Sequence, residues 1–298
     1  MKLDVRPAVA SALAARRPVV ALESTVIAHG LPRPMNLETA RAMEEEVRAA
    51  GATPATIAIA DGAVVVGAEA ELLARLAYDE GVAKVSLRDL APVLARRGLG
   101  ATTVASTVEI AARAGISVMA TGGIGGVHRG AQRSFDESAD LEAIARNAVC
   151  VVCAGAKLVL DLELTLERLE TLGVPVIGYG TDEFPAFYVR SSGLPLPYRV
   201  DNALAAARIV REQLSRGAGV IIAVPVAAGD ALDRREAEAE VTRAIAAAEA
   251  AGVRGAALTP YLLGTLGEAT SGRSLRANVS LLRQNARVAA QIALALAT

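Results

Sequence analysis

The sequence predicts an α/β fold, layered α/β/α around a central sheet that is mostly parallel or mixed, and three observations predict it. Short apolar, β-branched runs recur between longer stretches of helical period, the alternation that builds strand–helix units. The runs are apolar along their length, as strands covered by helices on both faces must be. No linker-like polar stretch and no internal repeat interrupts them, so residues 1–298 read as one domain. With 53% hydrophobic and 21% charged residues, the chain has the means to bury a large core.

A formal net charge of −1 argues against a nucleic acid polymer or an anionic membrane surface as partner. Apolar runs are cut by charges before the ~20 residues of a membrane span. Asp4, Arg6, Arg16 and Arg17 stand where a secretory leader would be apolar. A cytoplasmic protein is expected.

Taken in order, Ala8 to Ala15 has the period of a short amphipathic helix and Pro18 to Leu22 that of a buried strand. Glu23-Ser24-Thr25 and a kinked loop through His29 and Pro34 lead to a helix from Asn36 or Leu37 to Ala50, stopped by Gly51. Thr56 to Ala60 and Ala63 to Gly67 alternate about Asp61-Gly62 as a hairpin. A helix over Glu69 to Tyr78, a short strand or turn at Lys84-Val85-Ser86 and a helix around Leu90 to Arg97 follow. Gly98 to Thr103 reads as a loop, Val104 to Ala114 as a helix and Ser117 to Ala120 as a strand. Helices are expected over Leu141 to Arg146, Glu163 to Leu172, Ala203 to Ser215, Arg234 to Ala251 and Leu275 to Ala297. Strands are expected at Pro175 to Tyr179, Gly219 to Val224 and Ala256 to Leu258.

The strand-like run Asn147 to Cys153 turns at Ala154-Gly155-Ala156 and sets Lys157 where a buried strand should meet the next element. The chain has three lysines, Lys2, Lys84 and Lys157, among 31 basic residues. Arginine fills the other basic positions, and its guanidinium stays protonated and cannot act as an amine nucleophile. Lys84 and Lys157 are therefore candidates for work that arginine cannot do. Cys150 and Cys153 form a CxxC, but residues three apart on a strand face opposite ways and no second Cys/His pair completes a metal site; buried small residues are the better expectation.

After the strand at Ser117 to Ala120, the stretch Thr121 to Gly130 carries five glycines, which let a backbone approach an anion closely. It matches neither the dinucleotide nor the P-loop pattern, so a plain turn is an equal alternative. The acids of Phe135 to Asp140 precede a helix and are readable as caps and first-turn charges. Five of the eight aromatic residues fall between Tyr179 and Tyr198, which marks that loop as special. Glu23, Lys84, Thr102-Thr103, the glycine loop with His128, and Lys157 all follow expected strands, and in an open α/β sheet such positions converge on one crevice.

The phrases ALESTVIAHGLPRPMN, GATPATIAIADG, KVSLRDL, TGGIGGVHRGA, FDESADL, VVCAGAK, GVPVIGYGTDEFPAFYVRSSG and LRANVSLLRQNARVAAQIA closely resemble the pseudouridine-5′-phosphate glycosidase family, from about Pro18 to Ala297. The resemblance implies reversible cleavage of pseudouridine 5′-phosphate to uracil and ribose 5-phosphate, a divalent metal, typically Mn²⁺, and a homotrimer. It implies Lys157 as Schiff-base nucleophile and Glu23 as proton donor. Lys84, Val104, Thr121, Ser138, Ala139 and Asp140 would contact substrate, His128 and Asn278 less firmly, and Asp136 would hold the metal. Ala227-Ala228 stands where acidic residues are expected in many relatives.

The implied chemistry suits these residue types. Uracil joined through C5 cannot leave by protonation of a heteroatom, the route of carboxylate-pair glycosidases. A neutral lysine can open the ribose ring and form an iminium at C1′, and a proton at uracil C5 then lets the C–C bond break. Lys157 must first lose its proton, which burial or the cation of Lys84 would favour. Two other classes fit the same residues: a lysine-dependent sugar-phosphate aldolase or transaldolase, and a non-catalytic sugar-phosphate-binding protein. AAGD at Ala227 to Asp230 only faintly suggests a sugar kinase, with no nucleotide loop around it.

Overall fold

The computed structural model describes residues 1–253 and 258–298. Its strands are β1 (Leu3–Val5), β2 (Val19–Leu22), β3 (Thr53–Ala60), β4 (Ala63–Val66), β5 (Ala83–Val85), β6 (Gly100–Thr102), β7 (Val118–Ala120), β8 (Val127–His128), β9 (Cys150–Cys153), β10 (Leu160–Asp161), β11 (Val176–Tyr179), β12 (Tyr198–Val200) and β13 (Val220–Ala223). Among the described residues, eleven of them form one sheet in the order β1-β4-β3-β2-β7-β9-β13-β11-β12, with β6 on β3 and β5 on β6. The centre, from β3 through β12, is parallel, and β4 and β6 run antiparallel to β3. The expected α/β fold with a mixed, mostly parallel sheet is what forms.

Helices flank this sheet because its central strands offer no polar face. β2, β9 and β13 are buried at every residue, and each fully buried Val or Ile contributes about 1.5–3 kcal/mol. Arg273–Ala297 lies against Met35–Ala49 and Ala203–Ser215 and covers β2, β7 and β9, whereas Val104–Ala114 packs on β2, β6 and β7 beside Ala139–Arg146. Cys150 and Cys153 are both fully buried in β9, and burial pushes the Cys153 thiol up to about 12 and Cys150 higher still. They are small core residues, as expected. No helix among the described residues is long and apolar enough to cross a membrane.

The longest strand places the site. β3 pairs with β2 only from Thr53 to Thr56, and its remaining residues, Ile57 to Ala60, overhang the end of β2. On that overhang β6 runs back, Gly100 opposite Ile59 and Ala101 opposite Ala58, carrying β5 with it. Thr102 thus arrives above the carboxyl end of β2, where its N–H donates to Ser24 Oγ at 2.8 Å. The crevice therefore has two walls: the adjacent ends of β2, β7 and β9, and the returning ends of β6 and β5.

Several expectations need correction. Gly98 to Thr103 is not wholly loop, since Gly100–Thr102 is β6. The kinked loop after Glu23 begins as a wide helical turn, Val26–Gly30, and β1 and β12 were not expected. Of the strand expected at Ala256 to Leu258, Ala256 and Ala257 lie outside the described residues, and Leu258 opens the helix Leu258–Ala269.

Candidate active site

Glu23, Lys84, Val104, Thr121, His128, Asp136, Ser138, Ala139, Asp140, Lys157 and Asn278, the residues that the family resemblance assigns to the site, line one cavity of about 490 Å³, whereas Thr102 of the expected crevice group does not. Glu23 follows β2, Thr121 follows β7 and Lys157 stands four residues past β9, so three neighbouring parallel strands deliver them together. Lys84 lies in β5 opposite Ala101, and Val104 opens the helix after β6.

The carboxylate of Glu23 is buried and doubly held. Thr121 Oγ1 donates to its Oε1 and Thr25 Oγ1 to its Oε2. Beneath it, Ser24 Oγ and Thr102 Oγ1 each donate to the carbonyl of Ile57, at 2.6 and 2.7 Å, and Thr107 Oγ1 lies 2.9 Å from Thr102 Oγ1. A buried network satisfied in this way fixes one side-chain geometry. Glu23 is therefore an immobile carboxylate presented to the cavity.

The two lysines feel one another. Burial first, and then the charge of Lys157, hold the Lys84 ammonium below its ordinary range, while Glu23 and Asp140 pull the other way. The turn before Lys157 brings it in: Gly155 adopts φ +78°, and a Cβ there would run into the carbonyl oxygen of Pro185. The N–H of Lys157 lies 3.3 Å from the carbonyl of Ile124 and tethers the lysine loop to the glycine loop. Phe187 of the aromatic segment donates its N–H to Ala154 at 2.9 Å, and its ring lines the cavity.

Asp140 does something other than solvate a helix end. Its Oδ1 accepts the N–H of Ala105 and its Oδ2 that of Gly125, both at 2.8 Å, so one buried carboxylate pins the start of Val104–Ala114 to the glycine loop. Ser138 caps Ala139–Arg146 by accepting the N–H of Asp140 at 3.2 Å, and its hydroxyl fills the space that a Cβ on Gly125 would need. The close packing of loop on acid explains the glycine.

Asp136 sits half-exposed on the cavity wall with His128 Nδ1 at 4.0 Å. Burial lowers the His128 pKa against the pull of Asp136, and the charges of Lys157 and Lys84 act with burial. Among the described residues no group of three or more His, Cys, Asp or Glu side chains clusters as a metal cage. One carboxylate with an adjacent imidazole does suit a hard divalent cation that keeps most of its ligands as water and phosphate oxygens.

Residues the sequence reading passed over also line the cavity, among them Thr25, Ser86, Phe187, Leu282 and His29. His29 ends the wide turn Val26–Gly30, a geometry frequent at functional sites. Its Nε2 is buried without a partner, and burial, with the charge of Lys84, lowers its pKa while the nearby backbone of Val82 and Ala83 raises it. The signal was present in the sequence, since His29 is one of only two histidines.

Known proteins share this architecture along the whole chain. The family described as indigoidine synthase A like protein matches residues 8–295. The chain belongs to the indigoidine synthase A-like family. A relative from Caldanaerobacter subterraneus subsp. tengcongensis named pseudouridine-5′-phosphate glycosidase is 52% identical over 296 residues, covering 99% of this chain and 96% of that protein. One of the same name from Nocardioides sp. is 53% identical over 293 residues, covering 98% and 95%. The crystal structure of the prealnumycin C-glycosynthase AlnA in complex with ribulose 5-phosphate superposes with a TM-score of 0.92 at 44% identity, covering 100% of this chain and 97% of that one. An indigoidine synthase A-like protein from Thermotoga maritima gives 0.90 at 34% identity, with the same coverage. The resemblance to pseudouridine-5′-phosphate glycosidases read from the sequence holds over the whole indigoidine synthase A-like chain.

Proposed function

We propose that the protein cleaves the C–C glycosidic bond of pseudouridine 5′-phosphate, reversibly, to give uracil and ribose 5-phosphate. The observation that carries this is the meeting of two lysines and a doubly held carboxylate in one cavity, in a chain whose full-length relatives carry that enzyme's name. The sugar-phosphate complex of AlnA supports the same substrate class.

In the cleavage direction Lys157 gives one ammonium proton to the Glu23 carboxylate and becomes the free amine. The free amine of Lys157 bonds to C1′ as the C1′–O4′ bond breaks, and one proton of the resulting secondary ammonium passes to the ring oxygen. Glu23 then delivers a proton to uracil C5. The nitrogen lone pair forms the C1′ iminium as the C1′–C5 bond breaks, its electrons returning to the ring of the departing, neutral uracil. Water adds to the iminium, and ribose 5-phosphate leaves with the lysine amine restored. An aldolase would share the imine without processing a nucleoside, and a binding protein would turn nothing over.

We further read Asp136, with His128 beside it, as the residue that would hold a Mn²⁺ or similar ion, which when bound neutralises phosphate charge and orients water. We assign a homotrimer in the cytoplasm on the family resemblance. The test is uracil release from pseudouridine 5′-phosphate with and without Mn²⁺. Metal-stimulated release is expected, and ribose 5-phosphate binding without any uracil release would overturn the proposal.

A further inference from the structure

Asn285 lies on the cavity side of Arg273–Ala297, three residues beyond Leu282 and seven beyond Asn278, a spacing that keeps all three on one helix face. Asn278 and Leu282 line the cavity, while Asn285 is completely buried behind it. Its Nδ2 donates to the carbonyl of Thr121 at 2.8 Å and lies 3.3 Å from that of Gly122. Its Oδ1 is buried without a partner. An unsatisfied buried amide oxygen carries a desolvation penalty that leucine, of nearly the same shape, would avoid. What the amide holds is the peptide between Thr121 and Gly122.

That peptide carries the hydroxyl that fixes Glu23. The N–H of Thr121 donates to Val152 at 3.0 Å, the N–H of Ala154 donates to the carbonyl of Gly122 at 2.8 Å, and Thr121 Oγ1 donates to Glu23 Oε1. β7 is thus anchored on one side by the strand that leads to Lys157 and on another by the C-terminal helix. We infer that Asn285 is a positioning residue for proton transfer: it acts through Thr121 to hold the Glu23 carboxylate at the reacting atoms. The inference rests on the proposed function and names a part that the substrate itself never touches.

The experiment is a double-mutant cycle read in kcat and KM for uracil release. Thr121→Val keeps the carbonyl that Asn285 binds and removes only the hydroxyl on Glu23. Asn285→Leu, of similar size, and Asn285→Ala, with space to spare, each remove the amide. Each single change is expected to lower kcat about tenfold or more with KM within about twofold, and the double variant to be no slower than the slower single one, because the residues act as a unit. Losses that multiply, a KM that rises while kcat holds, or an unchanged kcat in Asn285→Leu would overturn the inference. If neither Asn285 variant folds, Asn285 is a stability residue and the inference fails. Absence of wild-type turnover sinks the proposed function, and this inference with it. Multiplying losses on an active wild type sink this inference alone.

Discussion

Glu23 and the two histidines show how a single side chain is tuned by what surrounds it. Glu23 accepts hydrogen bonds from Thr25 and Thr121, so Glu23→Gln keeps the size but cannot exchange a proton. It should lower kcat by ~10²–10⁴ while the fold is kept, and an unchanged turnover number would remove Glu23 from the mechanism. His29 and His128 have folded-state pKa values lowered from the ordinary 6.5, chiefly by burial. Between that lowered range and 6.5 the unfolded chain binds more protons than the folded one, so stability is present above 6.5 and is lost as pH falls through the window. The urea midpoint of the wild type should fall between about pH 7.5 and about pH 5.5, and His29→Gln should flatten part of that fall, leaving the share of His128. Equal slopes for both proteins would show that His29 is not held neutral. The two lysines were legible from composition alone, because arginine had replaced every other basic residue save Lys2. The shift that burial produces falls on Lys84, which no count of residues foretells.

At the scale of elements, the buried central strands are the ones that were easiest to read. β2, β7, β9 and β13 are buried runs whose covering helices leave no alternation to confuse the period. β6 was read as loop because its Gly-Ala-Thr has no bulk, and its strand state comes from pairing with the overhang of β3, a contact from a distant part of the chain. β1 and β12 are three-residue edge strands, too short to show an alternation, and their strand state likewise comes from pairing, with β4 and β11. Asp140 teaches a related lesson: the sequence shows an acid in a first helical turn, whereas its function as a clamp on Ala105 and Gly125 exists only once three elements have met. An amide at this position can accept only one of those N–H groups well, so Asp140→Asn should destabilise the fold by about 2–4 kcal/mol in urea unfolding. A loss under about 0.5 kcal/mol would mean that the clamp carries no energy.

For the whole molecule, one crevice at the ends of β2, β7 and β9 gathers residues from Glu23 to Asn278, so cleavage depends on the entire fold. Asp136 is half-exposed beside His128, and Asp136→Ala should keep the fold and lose metal-stimulated turnover; full activity of this variant in a chelator would end its assignment as the metal residue. The central claim is that Lys157 forms a covalent imine with the sugar phosphate. Borohydride reduction in the presence of ribose 5-phosphate, followed by peptide mapping, tests it most directly. The account predicts a sugar adduct on Lys157, absent in Lys157→Arg, whose guanidinium supplies no free amine at neutral pH. No adduct, or one found on Lys84 instead, would contradict it.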